Sequence, residues 1–284
     1  MTPDPRSSDP SPHGDHRTHG AACHDGDMSS LALRQRLMGS HAARTVLSVW
    51  GWLSLGILVI LWTAMTFVVW IVTTPFDRDR YWTGFVFRRV CVAYKFLNPM
   101  WTFTTSGRTI TDPRRPYVVV SNHESFVDMI AISQLPWEMK WISKEDFFRF
   151  PFLGWMMMMA NDIKLVRGNK ESIVSAMKGS RERLDQNLSV MVFPEGTRSQ
   201  EGQLGEFKDG AFRLAIEQQC PILPLALVGA REALVKGSWK MNVTHAEVRV
   251  LDPIETTGMS KDDIPALRDR TRDLIAAAIA EMKA

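Results

Sequence analysis

Apolar and polar positions divide the chain into three regimes. Residues 1–30 hold almost no large apolar side chain and are rich in Pro, Ser, Gly, Asp and His, the composition of a disordered tail. From Thr45 to Phe76 runs an uncharged stretch of 32 residues. That exceeds the roughly 20 residues needed to cross a bilayer as a helix. From Trp101 onward short apolar, β-branched runs alternate with amphipathic ones. This alternation predicts strands at 102–106, 117–121, 162–166, 189–194, 222–228 and 246–251. Helices are predicted at 126–135, 171–187, 209–219 and 261–283, the last opening on a Ser260–Asp263 capping box. The expected architecture is α/β, a mixed sheet flanked by helices and preceded by a membrane-anchoring helical segment. Its parts are a tail (1–30), an anchor region (31–98) and a domain of about 185 residues (99–284), long enough for a full core.

Charge placement shapes the reading of the anchor. Arg34, Arg36 and Arg44 precede the apolar run, and Arg78, Arg80, Arg88, Arg89 and Lys95 follow it. Positive charge at both ends favours an anchor whose two ends stay on the cytoplasmic side over a single tilted span. The run then bends back near Gly51 or Gly56, or pairs with an amphipathic helix from about Tyr81 to Leu97. In the second case Trp82, Phe85, Val86, Val90 and Phe96 lie in the interface. A polar lead of 44 residues argues against a secretory signal peptide. The apolar stretch Phe147–Ala160 is too short to cross a bilayer and reads as core, as a lipid-facing surface or as an acyl-chain slot.

Composition narrows the function classes. A formal net charge of +3 without a basic block gives no sign of nucleic-acid binding. Ten tryptophans and 16 methionines crowd around one apolar region, as in membrane-interface belts. Cys23, Cys91 and Cys220 are far apart, so no disulfide framework or metal-binding CxxC is visible, and a reducing compartment fits. His13, His16, His19, Cys23 and His24 in the tail have no fixed geometry and read as adventitious metal binders. No metal or cofactor is expected. Asn242-Val-Thr matches a glycosylation sequon by chance, given a cytoplasm-facing domain.

Two stretches carry chemistry. In YVVVSNHESFVD (117–128) a buried strand breaks into a polar elbow, and Ser125–Asp128 has the pattern of a helix start. His123 then sits in the loop, so a carboxylate on the first helical turn can reach its ring. In one continuous helix residues five apart diverge by roughly 140°. His123 is the expected general base and Asp128 its partner. Alone, the pair would better describe a surface histidine beside a capping aspartate. In SVMVFPEGTRS (189–199) another strand ends in a turn at Pro194 and Gly196, with Glu195 and Arg198 on it. Arginine offers a planar fork for phosphate, and a carboxylate accepts from hydroxyls, which together suit a glycerol or sugar phosphate.

NHESFVD (122–128) and FPEGTRS (193–199) resemble the first and third sequence blocks of the glycerolipid acyltransferases, in particular the 1-acylglycerol-3-phosphate acyltransferase group. WISKEDFFRFPFLGW (141–155), LVRGN (165–169), GQLGEFKDGAF (202–212) and PILPLALVG (221–229) are similar to the family as well, so the resemblance covers about residues 98–255. It implies that His123 is the catalytic base and Asp128 its orienting partner. Glu195, Gly196 and Arg198 would lie at the acceptor's glycerol phosphate, Lys144 would be a second phosphate contact, and Arg167 would line the same pocket. Pro224 belongs to the fourth block, and Lys208 is the weakest candidate. The second block departs from the family: an aspartate usually precedes its arginine, whereas Val166 precedes Arg167 here. The resemblance therefore defines the chemistry more firmly than the acceptor.

The implied reaction moves a fatty acyl group from acyl-CoA or acyl carrier protein to the sn-2 hydroxyl of lysophosphatidic acid, at a membrane and with membrane lipids as partners. No GxSxG or cysteine nucleophile is present, so transfer is expected to be direct, without an acyl-enzyme. The competing expectations are another acceptor (glycerol 3-phosphate, a lysophospholipid or a lyso-aminolipid) and a non-catalytic lipid-binding protein. The expected location is a membrane, the inner one in a bacterium, with the domain facing the cytoplasm.

Overall fold

Two helices lead into the sheet. The structure, a computed structural model, describes residues 33–38, 40–198, 203–235 and 237–284. The His-rich tail and its candidate ligands lie outside them. Helix α1 (His41–Thr73) starts at a Ser40 cap and runs unbroken for 33 residues. The bend anticipated at Gly51 or Gly56 does not occur. Gly51 serves a different purpose: a Cβ there would stand 2.7 Å from Met241 Sδ, and its carbonyl accepts the Tyr94 hydroxyl at 3.0 Å. The missing side chain lets the helix lie against the rest of the molecule. The chain reverses at residues 74–80 instead, and Asp77 accepts the N–H groups of Tyr81 (2.9 Å) and Trp82 (3.0 Å) at the start of α2 (Tyr81–Leu97). Helix α2 packs along α1 with Phe87, Val90 and Tyr94 buried, while Trp82 and Phe96 remain exposed.

A seven-stranded sheet follows, comprising β1 (Trp101–Gly107), β2 (Val118–Ser121), β3 (Met139–Lys144), β4 (Ile163–Leu165), β5 (Ser189–Val192), β6 (Ile222–Val228) and β7 (Thr244–Val250). Its order is β1-β7-β6-β2-β5-β3-β4, with every neighbouring pair parallel except β6 and β7. The helices are α3 (Val127–Ile132), α4 (Glu145–Arg149), α5 (Leu153–Met159), α6 (Lys170–Asp185), α7 (Gly210–Glu217), α8 (Ala230–Ala233) and α9 (Ile264–Lys283), the last entered through a 3-10 turn at Lys261–Asp263. The anticipated strands and longer helices are present with shifted ends, and β3 is an addition. Side chains alternate across the pleat. Val119, Met191 and Leu223 face one core with Tyr94 and Trp101 from the α2 side, whereas Val118, Val120 and Val190 face a second core under α6, α7 and α9.

The extra strand hides a charge network. Lys140, fully buried in β3, donates to Glu138 (3.1 Å) and to the carbonyls of Arg80 (2.7 Å) and Ala160 (2.8 Å). Arg88 of α2 pairs with Asp162, whose carboxylate also accepts the Trp141 N–H at 3.1 Å. Gly84 has no side chain where Glu138 approaches. These contacts fix α2 to the sheet.

Candidate active site

Parallel strands end together, and the loops beyond their carboxyl ends share one crevice. Here β2, β5, β3 and β4 are consecutive neighbours. At or just beyond their ends stand His123, Gly196 and Arg198, Lys144, and Arg167. All five line one cavity of about 460 Å³, walled also by Trp141, Phe147 and Phe193.

The elbow after β2 is held on all sides. Asn122 is buried and makes a two-point contact with the Leu227 backbone, donating to its carbonyl (2.8 Å) and accepting its N–H (2.9 Å). This ties the elbow to β6. His123 Nδ1 lies 2.7 Å from Asp128 Oδ2. The same oxygen accepts the N–H groups of Glu124 (2.6 Å) and Ser125 (2.9 Å), so the carboxylate is anchored before it meets the ring. Asp128 is fully buried and His123 partly so, and the imidazole stacks on Phe193 with centroids 4.0 Å apart. A carboxylate at Nδ1 selects the Nδ1–H tautomer and leaves Nε2 as an acceptor.

Glu195 is placed differently from the exposed hydroxyl acceptor anticipated for the turn. It is buried, and its two oxygens accept the backbone N–H of His123 (2.9 Å) and of Gly205 (3.0 Å). Burial raises its carboxyl above the usual range, opposed by those two N–H groups. It braces the β2 elbow against the β5 turn and is not part of the cavity wall. Gly196 beside it has φ +70, in the left-handed region, and the Lys208 ammonium stands where a Cβ would go. Lys208 thereby joins the edge of the site through a contact that spacing alone could not reveal. Lys144 pairs with Asp146, also at the cavity. Among the described residues no carboxylate pairs with Arg167 or Lys208, leaving both available to an anion. Sequence reasoning missed Asn122 and Phe193. Asn122 lies inside the elbow motif and carries no chemistry of its own, and Phe193 has the pattern of an ordinary strand-end aromatic.

A smaller cavity adjoins the first. It holds about 150 Å³ and shares Phe126, Met129, Trp141, Ser143 and Phe147 with the cationic one. Its walls are almost wholly apolar and include Leu55 and Val59 of α1, with Arg88 and Asp162 also lining it. A cationic pocket that shares a wall with an apolar one reaching α1 suits an amphiphile.

Comparison with known proteins agrees with this arrangement. Residues 102–228 match the family model Acyltransferase. The chain is 38% identical over 164 residues to the chloroplastic 1-acyl-sn-glycerol-3-phosphate acyltransferase BAT2 of Brassica napus, covering 58% of this chain and 46% of that protein. It is 35% identical over 172 residues to human 1-acyl-sn-glycerol-3-phosphate acyltransferase alpha, covering 60% and 61%. The matched stretch thus spans less than two thirds of either relative's length. The crystal structure of the 1-acyl-sn-glycerophosphate (LPA) acyltransferase PlsC from Thermotoga maritima shares the fold, with a TM-score of 0.73 at 21% identity, over 85% of this chain and 96% of that one.

Proposed function

We propose that the protein, whose residues 102–228 match the family model Acyltransferase, transfers a fatty acyl group from a thioester to the sn-2 hydroxyl of lysophosphatidic acid, yielding phosphatidic acid. The observation that carries this reading is the His123–Asp128 contact of 2.7 Å at a cavity lined by Lys144, Arg167 and Arg198. A lipid hydroxyl is a poor nucleophile until a base takes its proton during attack. Nε2 of His123 is that base, and the bond from the hydroxyl oxygen to the acyl carbon forms as the C–S bond breaks. The imidazolium produced is stabilised by Asp128 and returns its proton to the departing thiolate. Arg198, Arg167 and Lys144 hold the acceptor's phosphate as charge-assisted donors. The apolar cavity takes a hydrocarbon chain. The long apolar helix α1 supports membrane attachment. The donor is acyl-CoA or acyl carrier protein, and no cofactor enters the scheme.

One observation favours a second acceptor class. Val166 stands where the resembling family usually has an aspartate beside Arg167, and both residues are exposed at the phosphate end of the site. A lysophospholipid with a head group therefore belongs in the test. Membranes containing the protein are assayed with an acceptor panel and acyl-CoA, with His123→Ala as blank. Lysophosphatidic acid should be the best acceptor, and His123→Ala should lower the rate by about 10²–10⁴ at equal protein level. Equal rates in the two proteins would remove His123 from the chemistry.

A further inference from the structure

Residues 147–160 do more than fill a core. Helix α5 buries Met156 and Met157 against α1 and α2, yet Trp155 and Met158 on the same helix are each 49% exposed. Between that outer face and the anchor helix runs a groove of about 640 Å³. Ile60, Phe67 and Trp70 of α1 form one wall, and Phe152, Trp155 and Met158 form the other. Among the described residues no charged side chain lines it. Its anchor wall continues the exposed apolar face of α1, which includes Ile57, Leu61, Val68 and Ile71.

The backbone at the start of α5 is strained to build that wall. Phe152 has φ 64 and ψ −63, and the Leu153 N–H reaches the Pro151 carbonyl at 2.8 Å. That is a γ-turn of the rare, unfavourable hand, on a residue that is not glycine. Such conformations persist where the surroundings over-determine them and concentrate at functional surfaces. The turn sets the Phe152 ring edge-on to Trp155, with centroids 5.0 Å apart, inside the groove. Two residues earlier Phe150, 57% exposed, lines the catalytic cavity.

We propose that the α1–α5 groove binds hydrocarbon chains of the membrane leaflet. Helix α5 then enters the same lipid layer as α1, and the cavity lip at Phe150 meets the bilayer where an acceptor would leave it. The inference rests on the acyltransferase reading for the acceptor, and on α1 as anchor for the leaflet. The lining disfavours water: Thr63 already donates to the Val59 carbonyl at 2.7 Å, and the other polar side-chain groups are the indole N–H donors of Trp70 and Trp155.

The test compares wild type with Trp155→Ser/Met158→Gln in two acceptor presentations, phosphatidylglycerol vesicles carrying the lysolipid and a short-chain lysolipid below its micelle concentration. The double variant should raise KM for the bilayer acceptor about tenfold. It should leave kcat/KM for the monomeric acceptor within about twofold. Equal loss with both acceptors, or loss with neither, would overturn the proposal. A further measurement does not depend on turnover. In vesicles of brominated phospholipid Trp155→Phe should lose a share of the tryptophan quenching seen in wild type, and identical quenching would place Trp155 outside the lipid. Should wild type acylate neither acceptor, the proposed function fails while the quenching still decides the groove.

Discussion

Two backbone amides, those of His123 and Gly205, converge on the carboxylate of Glu195. A misplacement of about 1 Å at a base can cost about 10²-fold in rate, so on the proposed function the brace acts on catalysis without touching substrate. Glu195→Ala should lower kcat by about tenfold to a hundredfold and leave the acceptor KM within about twofold. A raised acceptor KM at unchanged kcat would instead return Glu195 to the glycerol phosphate. Glu124, next to His123, gives a pH prediction. Burial, and then the nearby Asp128 charge, push its carboxyl up from 4.5 to about 7. A raised carboxyl in the folded state means that the native protein holds a proton the unfolded chain releases. Its contribution to stability is therefore fully present below about pH 4.5 and lost as pH rises through about 7. Glu124→Gln should be nearly neutral at pH 4.5 and stabilising by up to about 3 kcal/mol at pH 8 in denaturation in detergent. The same shift at both pH values would contradict the assignment. The His123–Asp128 pair was legible in the sequence because its spacing falls on a strand-to-helix elbow. The inward turn of Glu195 was not, because nothing local says which of two polar neighbours on a turn will be buried.

Strand β3 illustrates what patterning cannot show. Met139 and Trp141 alternate with Lys140 and Ile142, but Glu138 and Lys140 break the apolar signal, and the strand is visible only once their charges have partners from elsewhere. Those partners come from the loop before α2 and from the chain around Ala160 and Asp162, beyond the reach of any local window. The six other strands are continuous apolar or alternating runs and were legible for that reason. Helices α4, α5 and α8 are too short to establish a helical period. Removing one member of a buried ion pair leaves a charge without compensation, at a cost of about 3–5 kcal/mol. Asp162→Ala should therefore destabilise the protein by that amount, and Arg88→Met/Asp162→Leu should cost less than Asp162→Ala alone. Additive losses in chemical denaturation would show that the pair has no coupling. Because Arg88 and Asp162 also line the apolar cavity, the double variant should fold yet handle long chains differently from wild type.

At the scale of the molecule, the long helix α1 is tied to the domain near its start and to α2 farther along. Near its start the Trp52 indole donates to the Trp239 carbonyl (2.7 Å), and Ser48 accepts the Met241 N–H (2.9 Å). Midway Trp62 donates to the Val86 carbonyl at 2.8 Å, and near its end Thr73 meets Thr83 at 3.4 Å. Thirty-three residues make a rod of about 50 Å, well beyond the roughly 30 Å of a hydrocarbon core. A helix packed along that length by α2, α5 and the Trp239–Met241 stretch would carry them into the lipid if it stood upright through a bilayer. We therefore propose that it lies along the membrane, with its exposed apolar face in one leaflet and both ends on the domain's side. Cys23 makes this measurable, since it precedes α1, while Cys220 is buried and Cys91 lines the apolar cavity. On the proposed cytoplasmic placement of the domain, a membrane-impermeant maleimide should leave Cys23 unmodified in intact cells and modify it after permeabilisation. Modification of Cys23 in intact cells, with the domain still protected from external protease, would establish a single crossing and separate the tail from the active site.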